Sequence, residues 1–222
     1  MPLSHSRNRR ILILWFCAFS WVLVRLAFAT AGEDVIARVQ AKYKSLKYLT
    51  LRFSMTTTSD SQSTDIREAL EGRILWGGKG RYRLESRDQT LVCDGKTLWS
   101  FHSGENQVIL YRADAEDTPF FAPDQLLFEF PGKYRVVGVL ETSLGESPCF
   151  VLSLLPRETN DPTKSLEVWV DKDQYLTRRV RLEDLAGNAT VIEFEDFQTG
   201  QNLPDQTFRF DPPAGAEVID LR

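Results

Sequence analysis

Residues that commonly bind metals or act as nucleophiles are scarce in this sequence. It contains two histidines and three cysteines, and His5 and Cys17 lie close to the N-terminus. The rest of the chain has the single histidine His102, which excludes a site built from several histidines. Cys93 and Cys149 do not have the spacing of zinc ligands. The sequence also lacks G-x-S-x-G, P-loop and G-x-G-x-x-G motifs.

The remaining candidates for chemistry fit ordinary structural roles better. Carboxylates are numerous but form no recognisable pair, and most of them alternate with apolar residues as on a solvated strand face. Gly77-Gly78-Lys79-Gly80 is only superficially like a phosphate-binding loop, because no strand-to-helix context surrounds it, and it predicts a turn. His102 ends a predicted strand, where a surface residue is more common than a general base. We therefore expect no enzyme activity, no metal and no cofactor.

The N-terminal segment predicts export. Three arginines precede the apolar run 11–24, and Ala27-Phe28-Ala29 then supplies an A-x-A cleavage site. The apolar run is too short to span a bilayer, which takes about 20 residues. Residues 1–29 are thus predicted to be a signal peptide, with cleavage after Ala31 as the alternative. Residues 30–222 are predicted to form a single domain located in the periplasm.

Removal of that segment makes the chain distinctly acidic. The whole chain has 27 basic and 31 acidic residues. Loss of four arginines and no acid leaves 23 basic and 31 acidic residues, a net charge of −8. Such a balance, without a block of Lys and Arg, argues against nucleic acid or anionic lipid as a partner. An exported protein can form disulfides, but spacing alone does not decide whether Cys93 and Cys149 pair.

Apolar residues recur first with a helical period and then with a strand period. From Glu33 onward, Ile36, Val39 and Tyr43 are spaced as on one face of a short helix. Asp94-Gly95 then lies between two apolar runs and predicts a tight hairpin. Strands are predicted at 49–56, 70–76, 81–85, 91–94, 97–101, 107–111, 134–141, 149–155, 166–171, 176–183, 190–197 and 207–210. Such short, evenly spaced strands predict one antiparallel sheet that curls into a barrel or half-barrel.

A proline-bounded apolar stretch, residues 118–131, interrupts the strands and predicts a short helix. Its aromatic residues, together with Trp76, Trp99 and Phe101, suit a curved sheet with an apolar helix over its open side. A barrel of this size either fills its interior with side chains or keeps room for a ligand. Periodicity alone leaves both possibilities open.

Two motifs add a family resemblance. The hairpin Leu91-Val92-Cys93-Asp94-Gly95-Lys96-Thr97-Leu98-Trp99 and the ending Phe208-Arg209-Phe210-Asp211-Pro212-Pro213-Ala214-Gly215 resemble the periplasmic outer-membrane lipoprotein carrier family, LolA. The resemblance runs from about Glu33 to the C-terminus. It implies a mainly β fold, an unclosed antiparallel barrel of about 11 strands with an N-terminal helix and short lid helices.

The resemblance also implies a function. Members of the family act as chaperones that take triacylated lipoproteins from an inner-membrane lipoprotein-releasing ABC transporter and pass them to an outer-membrane acceptor. We expect this chain to act likewise as a monomer; the alternative is a periplasmic sensor or regulatory module that binds lipid or lipoprotein on the same fold. The residues expected to line the acyl cavity or its lid are Phe53, Ile74, Trp76, Tyr82, Leu84, Trp99, Phe101, Phe120, Phe121, Leu126, Leu127, Phe128 and Phe130.

One position departs from the family pattern. Members usually carry an Arg-Pro pair before the strand that corresponds to 81–84, and the arginine is tied to holding the lid closed. Here Gly77-Gly78-Lys79-Gly80 takes that place, and Lys79 is the nearest cation. An ammonium group makes a less planar set of hydrogen bonds than a guanidinium does. Lys79 is therefore the candidate latch, and apolar contacts are expected to hold the lid.

Overall fold

One continuous sheet organises the chain. The computed structural model describes residues 31–59, 66–115 and 122–222, and within these ranges twelve strands form a single sheet. The strands are β1 (Leu49–Thr58), β2 (Ile66–Trp76), β3 (Arg81–Ser86), β4 (Gln89–Asp94), β5 (Thr97–His102), β6 (Gln107–Arg112), β7 (Tyr134–Leu144), β8 (Ser147–Pro156), β9 (Thr163–Asp171), β10 (Thr177–Asp184), β11 (Ala189–Thr199) and β12 (Glu217–Asp220). Helix α1 covers residues 31–45, and shorter helical segments occupy Gln125–Glu129, Phe130–Gly132 and Asp205–Phe208.

The strand order leaves the sheet open. From edge to edge it is β12-β6-β5-β4-β3-β2-β1-β11-β10-β9-β8-β7. Strand β1 lies near the middle and pairs antiparallel with both β2 and β11, so the two halves of the chain meet along it. Strands β12 and β7 occupy opposite edges. The predicted unclosed antiparallel barrel is confirmed, with one strand more than the eleven expected from the resemblance.

The end of the chain differs from the prediction. A strand was expected at 207–210, but Asp205–Phe208 forms a 3-10 turn, and the last strand is Glu217–Asp220. That strand runs parallel to β6, with Val218 opposite Val108. Phe208 is only 2% exposed, so burial of its ring, not strand pairing, fixes the segment. Every residue of β12 is at least partly exposed, so it carries no alternating burial signal.

The predicted hairpin between β4 and β5 is confirmed. Gly95 has φ of 93°, a left-handed conformation that glycine adopts without steric cost. The Asp94 carboxylate accepts hydrogen bonds from the backbone N–H groups of Lys96 and Thr97, both at 2.8 Å. A Cβ at Gly95 would lie 2.9 Å from the carbonyl oxygen of Lys79. The hairpin tip therefore packs closely against the turn between β2 and β3.

The two faces of the sheet carry different residues. Along β1, Leu49, Leu51 and Phe53 are buried while Arg52 between them is exposed. We call the face with the buried residues the concave face. Val35, Ile36, Val39 and Tyr43 of α1 belong to the same buried cluster, so the helix lies across that face. None of the helices in the described ranges is long and apolar enough to cross a membrane.

The opposite, outer face carries many charged side chains and, over β3 to β6, an apolar area. Arg73 pairs with Glu85 at 2.5 Å and is exposed enough that this contact adds little stability, and Arg83 pairs with the same carboxylate at 2.6 Å in a half-buried contact. An open recess of about 680 Å³ lies beside them, lined in part by Arg52, Glu71 and Glu195. Phe53 and Gly72 also line this recess, so it reaches the edge of the concave cluster.

Residues near the C-terminus cover the apolar area. Val92 and Val108 are fully buried yet alternate with residues of the concave face. The Phe208 ring packs so closely on Gly77 that a Cβ there would lie 2.5 Å from it. The Arg81 guanidinium lies 5.1 Å from the ring centroid. The outer face of β3 to β6 thus has a small apolar core of its own.

At Gly72, strand β2 lies close to the backbone of β3. A Cβ at this position would lie 2.1 Å from the carbonyl oxygen of Glu85 and 2.8 Å from the Phe53 ring. No side chain fits without movement of the backbone. Glycine inside a strand is typical of a bend or of close backbone approach, and here it permits the curvature that makes the concave face.

Candidate functional site

The centre of the concave face is an aromatic cluster contributed by three elements. Tyr43 of α1 stacks on Phe128 with ring centroids 4.9 Å apart. Trp76 of β2 meets both rings edge-on, at 6.4 Å from Tyr43 and 5.9 Å from Phe128. Such pairs contribute about 0.5–1.5 kcal/mol beyond area burial. Helix α1 and the segment that contains Phe128 are therefore packed together on the sheet.

That second covering element, residues 122–132, we call the lid segment. It consists of a π-helical turn, Gln125–Glu129, followed by the 3-10 turn Phe130–Gly132. The predicted helix between strands is confirmed here; its predicted beginning, residues 118–121, lies outside the described residues. Leu127, Phe128 and Phe130 are buried. π-helical turns are rare and are frequently found at functional sites.

Polar contacts hold the lid segment at its carbonyl oxygens. The Thr177 hydroxyl donates to the Leu127 carbonyl oxygen at 2.6 Å. The Gln40 amide donates to the carbonyl of Phe128 at 3.4 Å, and Arg157 to that of Pro131 at 3.3 Å. These bonds satisfy groups that an irregular helix leaves unpaired. The lid segment is thus tied to α1, to β10 and to the end of β8.

The first turn of the lid segment carries a buried carboxylate. Asp124 is 8% exposed and accepts a short hydrogen bond from the indole Nε1–H of Trp76. The backbone N–H of Gly80 also donates to it. Burial raises the pKa of Asp124 to about 6; the nearby Glu129 charge adds to the rise, and the two hydrogen bonds oppose it. Burial dominates because Asp124 forms no ion pair within the described ranges.

The cysteines are not nucleophiles in this setting. Both Cys93 and Cys149 are buried and free, so the open question of a disulfide between them is answered. Burial raises the pKa of the Cys93 thiol to about 11 and raises that of Cys149 as well. A thiol with a raised pKa has little of the reactive thiolate at neutral pH.

His102 is held by neutral partners. Its Nε2 lies 3.2 Å from the Ser100 hydroxyl and 3.3 Å from the Gln89 amide. Ser100 is fully buried. A serine activated for nucleophilic attack needs a base oriented by a third group, usually a carboxylate on the other ring nitrogen. The Gln89 amide contacts the same nitrogen as Ser100, so this cluster is a structural hydrogen-bond network.

The structure brings most of the predicted cavity residues together. Those found in the buried cluster of the concave face are Phe53, Ile74, Trp76, Tyr82, Leu127, Phe128 and Phe130, and Leu84 and Leu126 are half-buried against it. Phe120 and Phe121 lie outside the described residues. Whether these residues bind acyl chains stays a prediction.

Trp99 and Phe101 are not brought into that cluster. On β5, Leu98 and Ser100 pair with Cys93 and Leu91 of the concave face, so Trp99 and Phe101 point to the outer face. Phe101 contacts the Phe210 ring there, at 5.7 Å between centroids. Both faces of β5 therefore carry apolar residues. One face contributes to the concave cluster, and the other contributes to the outer core, which residues near the C-terminus cover.

The predicted latch residue, Lys79, is exposed. It occupies the turn between β2 and β3 with φ of 56°, and its side chain has no hydrogen bond or ion pair with any residue that the structure describes. The polar link between this turn and the lid segment instead comes from the lid side, through Asp124. Sequence reasoning missed Asp124 and Thr177. The first had a visible signal, a carboxylate inside an apolar, proline-bounded run; the second had none.

Apolar surface continues beyond the two covering elements. Met55 and Leu70 face each other across β1 and β2, and both are only half-buried against the concave cluster. Leu182 of β10 is likewise half-buried against the cluster. The concave face therefore combines a covered centre with a partly open apolar end.

Comparison with known proteins agrees with this architecture. A sequence model of the family described as outer membrane lipoprotein carrier protein LolA matches residues 44–211. The chain is 23% identical over 190 residues to an uncharacterised protein of Methanocaldococcus jannaschii, covering 85% of this chain and 53% of that one. It is 25% identical over 207 residues to the outer-membrane lipoprotein carrier protein of Nitrosospira multiformis, covering 92% and 96%. The chain thus spans about half of the first relative and almost all of the second.

Solved structures show the same fold. A conserved uncharacterised protein from Thermus thermophilus superposes with a TM-score of 0.57 at 17% identity, covering 86% of this chain and 99% of that one. MucB superposes with a TM-score of 0.50 at 18% identity, covering 86% and 66%. With the family model spanning most of the open barrel, the chain belongs to the LolA family of outer membrane lipoprotein carrier proteins.

Proposed function

We propose that this protein binds the acyl chains of lipoproteins on its concave face and carries them through the periplasm. The observation that carries the proposal is an apolar concave face covered by a separate, irregular lid segment. Its buried side chains, Leu127, Phe128 and Phe130, fill the site in the free protein. Acyl chains can replace them without any specific polar contact.

The driving force is burial of hydrocarbon. Each CH₂ group removed from water contributes about 0.8 kcal/mol, so acyl chains cross an aqueous compartment only when shielded. Displacing the lid segment costs its own buried contacts with Trp76 and Tyr43. Because that cost offsets part of the gain, a carrier of this design binds tightly enough to shield cargo and still releases it.

The half-buried end around Met55 and Leu70 is the place where cargo first makes contact. A chain end inserted there extends an existing apolar surface and competes with the lid segment for the centre. Opening then requires movement of the lid segment only, since the strands beneath are joined through long antiparallel pairings. The order of events is insertion at the open end, displacement of the lid segment and burial of the remaining hydrocarbon.

The proposed partners follow from this role. A lipoprotein-releasing ABC transporter in the inner membrane supplies triacylated lipoprotein, and an outer-membrane acceptor receives it. Residues 1–29 act as a cleaved signal peptide, and residues 30–222 work as one domain without a cofactor and without catalysis. Sequencing the N-terminus of exported protein should give Thr30, or Gly32 if the second site is used. A retained Met1 on membrane-bound protein contradicts this part of the proposal.

The second candidate is a sensor or regulatory module that binds lipid or lipoprotein as a signal. The same apolar concave face would bind lipid in this role too, which keeps it as a candidate. A carrier should be isolated with lipoprotein bound and should transfer it to an acceptor. A sensor should bind lipid or lipoprotein without transfer. Native mass spectrometry of exported protein, followed by a transfer assay with acceptor-containing membranes, separates the two.

A fluorescent fatty acid tests the site directly. Binding should be saturable, should change the emission of Trp76 and should be competed off by triacylated lipoprotein. Leu70→Glu places a charge at the half-buried end and should weaken probe binding by at least ten-fold without unfolding. Leu185→Glu is the matched control, because Leu185 is 69% exposed in a turn, and it should bind like the unchanged protein. Equal binding by both variants, or no saturable binding at all, refutes the proposed site.

A further inference from the structure

We propose that Asp124 is a proton-sensitive latch, which holds the lid segment closed while it is protonated and weakens that closure when it ionises. This inference deepens the proposed function and rests on it in one respect: opening the lid segment exposes the proposed acyl site. Asp124 is a positioning residue, because it acts through the lid segment and not on cargo.

The geometry places this carboxylate at the junction of lid and sheet. Asp124 lies in the first turn of the lid segment and accepts hydrogen bonds from Trp76 on β2 and from the Gly80 amide in the following turn. Trp76 in turn packs against Phe128 and Tyr43. One buried side chain thus connects the lid segment, the aromatic cluster and the turn between β2 and β3.

The groups that face Asp124 do not balance a negative charge. Tyr82 of β3 and Cys93 of β4 interact with it electrostatically, and both are neutral because burial raises the pKa of each. Glu129, on the lid segment itself, repels it. Lys79 in the adjacent turn is exposed, and Arg81 is directed to the Gly77 carbonyl and to Asp205 instead. Among the residues that the structure describes, two N–H donors, from Trp76 and Gly80, stabilise an ionised Asp124.

The direction of the effect follows from linkage. The closed state raises the pKa of Asp124 from 3.8 to about 6, with burial as the main cause. A carboxyl whose pKa is raised by closure stabilises the closed state fully below pH 3.8, and this stabilisation is lost as pH rises through 6. The closed lid segment is therefore favoured by acid, and neutral pH promotes opening.

The size of the effect can be stated as a population change. With a pKa of 3.8 in the open state, the equilibrium constant for closing falls about ten-fold between pH 5 and pH 7.5. Hydrogen exchange reports this change directly, because exchange of lid amides in the free protein requires opening. Protection factors, corrected for the intrinsic pH dependence of exchange, should fall about ten-fold for residues 125–132 over that range.

Three variants of the purified protein test the assignment. Asp124→Asn keeps an oxygen for the Trp76 indole but cannot ionise, so lid protection should become independent of pH between 5 and 7.5. Trp76→Phe removes the donor that favours the ionised form, so the midpoint of the pH effect should move upward. Glu129→Gln, at the exposed carboxylate of the same turn, should keep the pH effect with a slightly lower midpoint.

The contrary results are equally distinct. The latch is refuted if lid protection in the unchanged protein does not vary with pH, or if Asp124→Asn varies as the unchanged protein does. Should Asp124→Asn fail to fold, the opposite midpoint shifts of Trp76→Phe and Glu129→Gln decide the matter, and absence of both shifts refutes it. None of these measurements uses cargo, so failure to bind a fatty acid would overturn the proposed function and leave the latch standing.

Discussion

The hydroxyl of Thr177 donates a 2.6 Å hydrogen bond to the carbonyl oxygen of Leu127, and both groups are buried. The backbone N–H of Thr177 donates to the Tyr43 hydroxyl at 3.3 Å. A single residue at the start of β10 therefore contacts both elements that cover the concave face. The consequence is that α1 and the lid segment share one anchor, although they are distant in sequence.

Replacement of Thr177 by valine should loosen the lid segment. Valine has nearly the same shape but leaves the Leu127 carbonyl without its donor, at a cost of about 1–3 kcal/mol. Hydrogen exchange of residues 125–130 should accelerate more than exchange of β8 and β9. Thr57→Val is the matched control, because the Thr57 hydroxyl lies 3.2 Å from that of Thr190, far from the lid segment. Equal acceleration in both variants would contradict a specific anchoring role.

Much of the fold could be predicted from the sequence because strands such as β1 alternate apolar and polar residues. Leu49, Leu51 and Phe53 follow a period of two, and Asp94-Gly95 fixes a turn by local chemistry. These signals depend only on residues that are neighbours in the sequence, so the sequence alone is enough to detect them. Strand β12 was missed because its pairing with β6 is parallel and depends on partners more than a hundred residues away.

The candidate site was less predictable because apolar alternation does not show which side of a strand belongs to the concave face and which to the outer face. Trp99 and Phe101 have the same pattern as Ile74 and Trp76, yet they lie on the outer face, where Phe210 from a distant segment contacts Phe101. The role of Asp124 depends on burial and on a partner 48 residues away. Neither fact is encoded in the spacing of neighbouring residues.

Gly72→Ala should destabilise the sheet strongly. The added Cβ would lie 2.1 Å from the backbone oxygen of Glu85, which cannot move without breaking the pairing of β2 with β3. We expect a loss of about 1–3 kcal/mol or more in the free energy of unfolding, measured by chemical denaturation. Gly138→Ala is the control, because its Cβ would meet Ser153 at an ordinary 3.8 Å. Similar losses in the two variants would show that the close approach at Gly72 is not rigid.

Phe208→Ala should destabilise the outer core without affecting binding at the concave face. Phe208 is almost fully buried against Gly77, so truncation should cost about 3–5 kcal/mol of unfolding free energy. Phe210→Ala should cost less, because Phe210 is only half-buried. Under conditions where each variant remains folded, both should bind the fatty acid probe as the unchanged protein does. Weaker probe binding by Phe208→Ala would show that the two cores are coupled.

Lys79 allows the charge of the turn to be tested apart from its backbone. The residue has φ of 56°, a conformation that costs non-glycine residues about 1–2 kcal/mol. Lys79→Gly should therefore raise the free energy of unfolding by up to about 1 kcal/mol, after the greater freedom of glycine in the unfolded chain is included. Lys79→Ala keeps the strained backbone and removes the ammonium group, so its stability should change by less than about 0.5 kcal/mol.

If Lys79 has no latch role, both variants should match the unchanged protein in lid hydrogen exchange and in transfer of lipoprotein to acceptor membranes. If instead both variants open the lid segment to a similar degree, the loss of charge is the shared cause, and Lys79 holds the lid alongside Asp124.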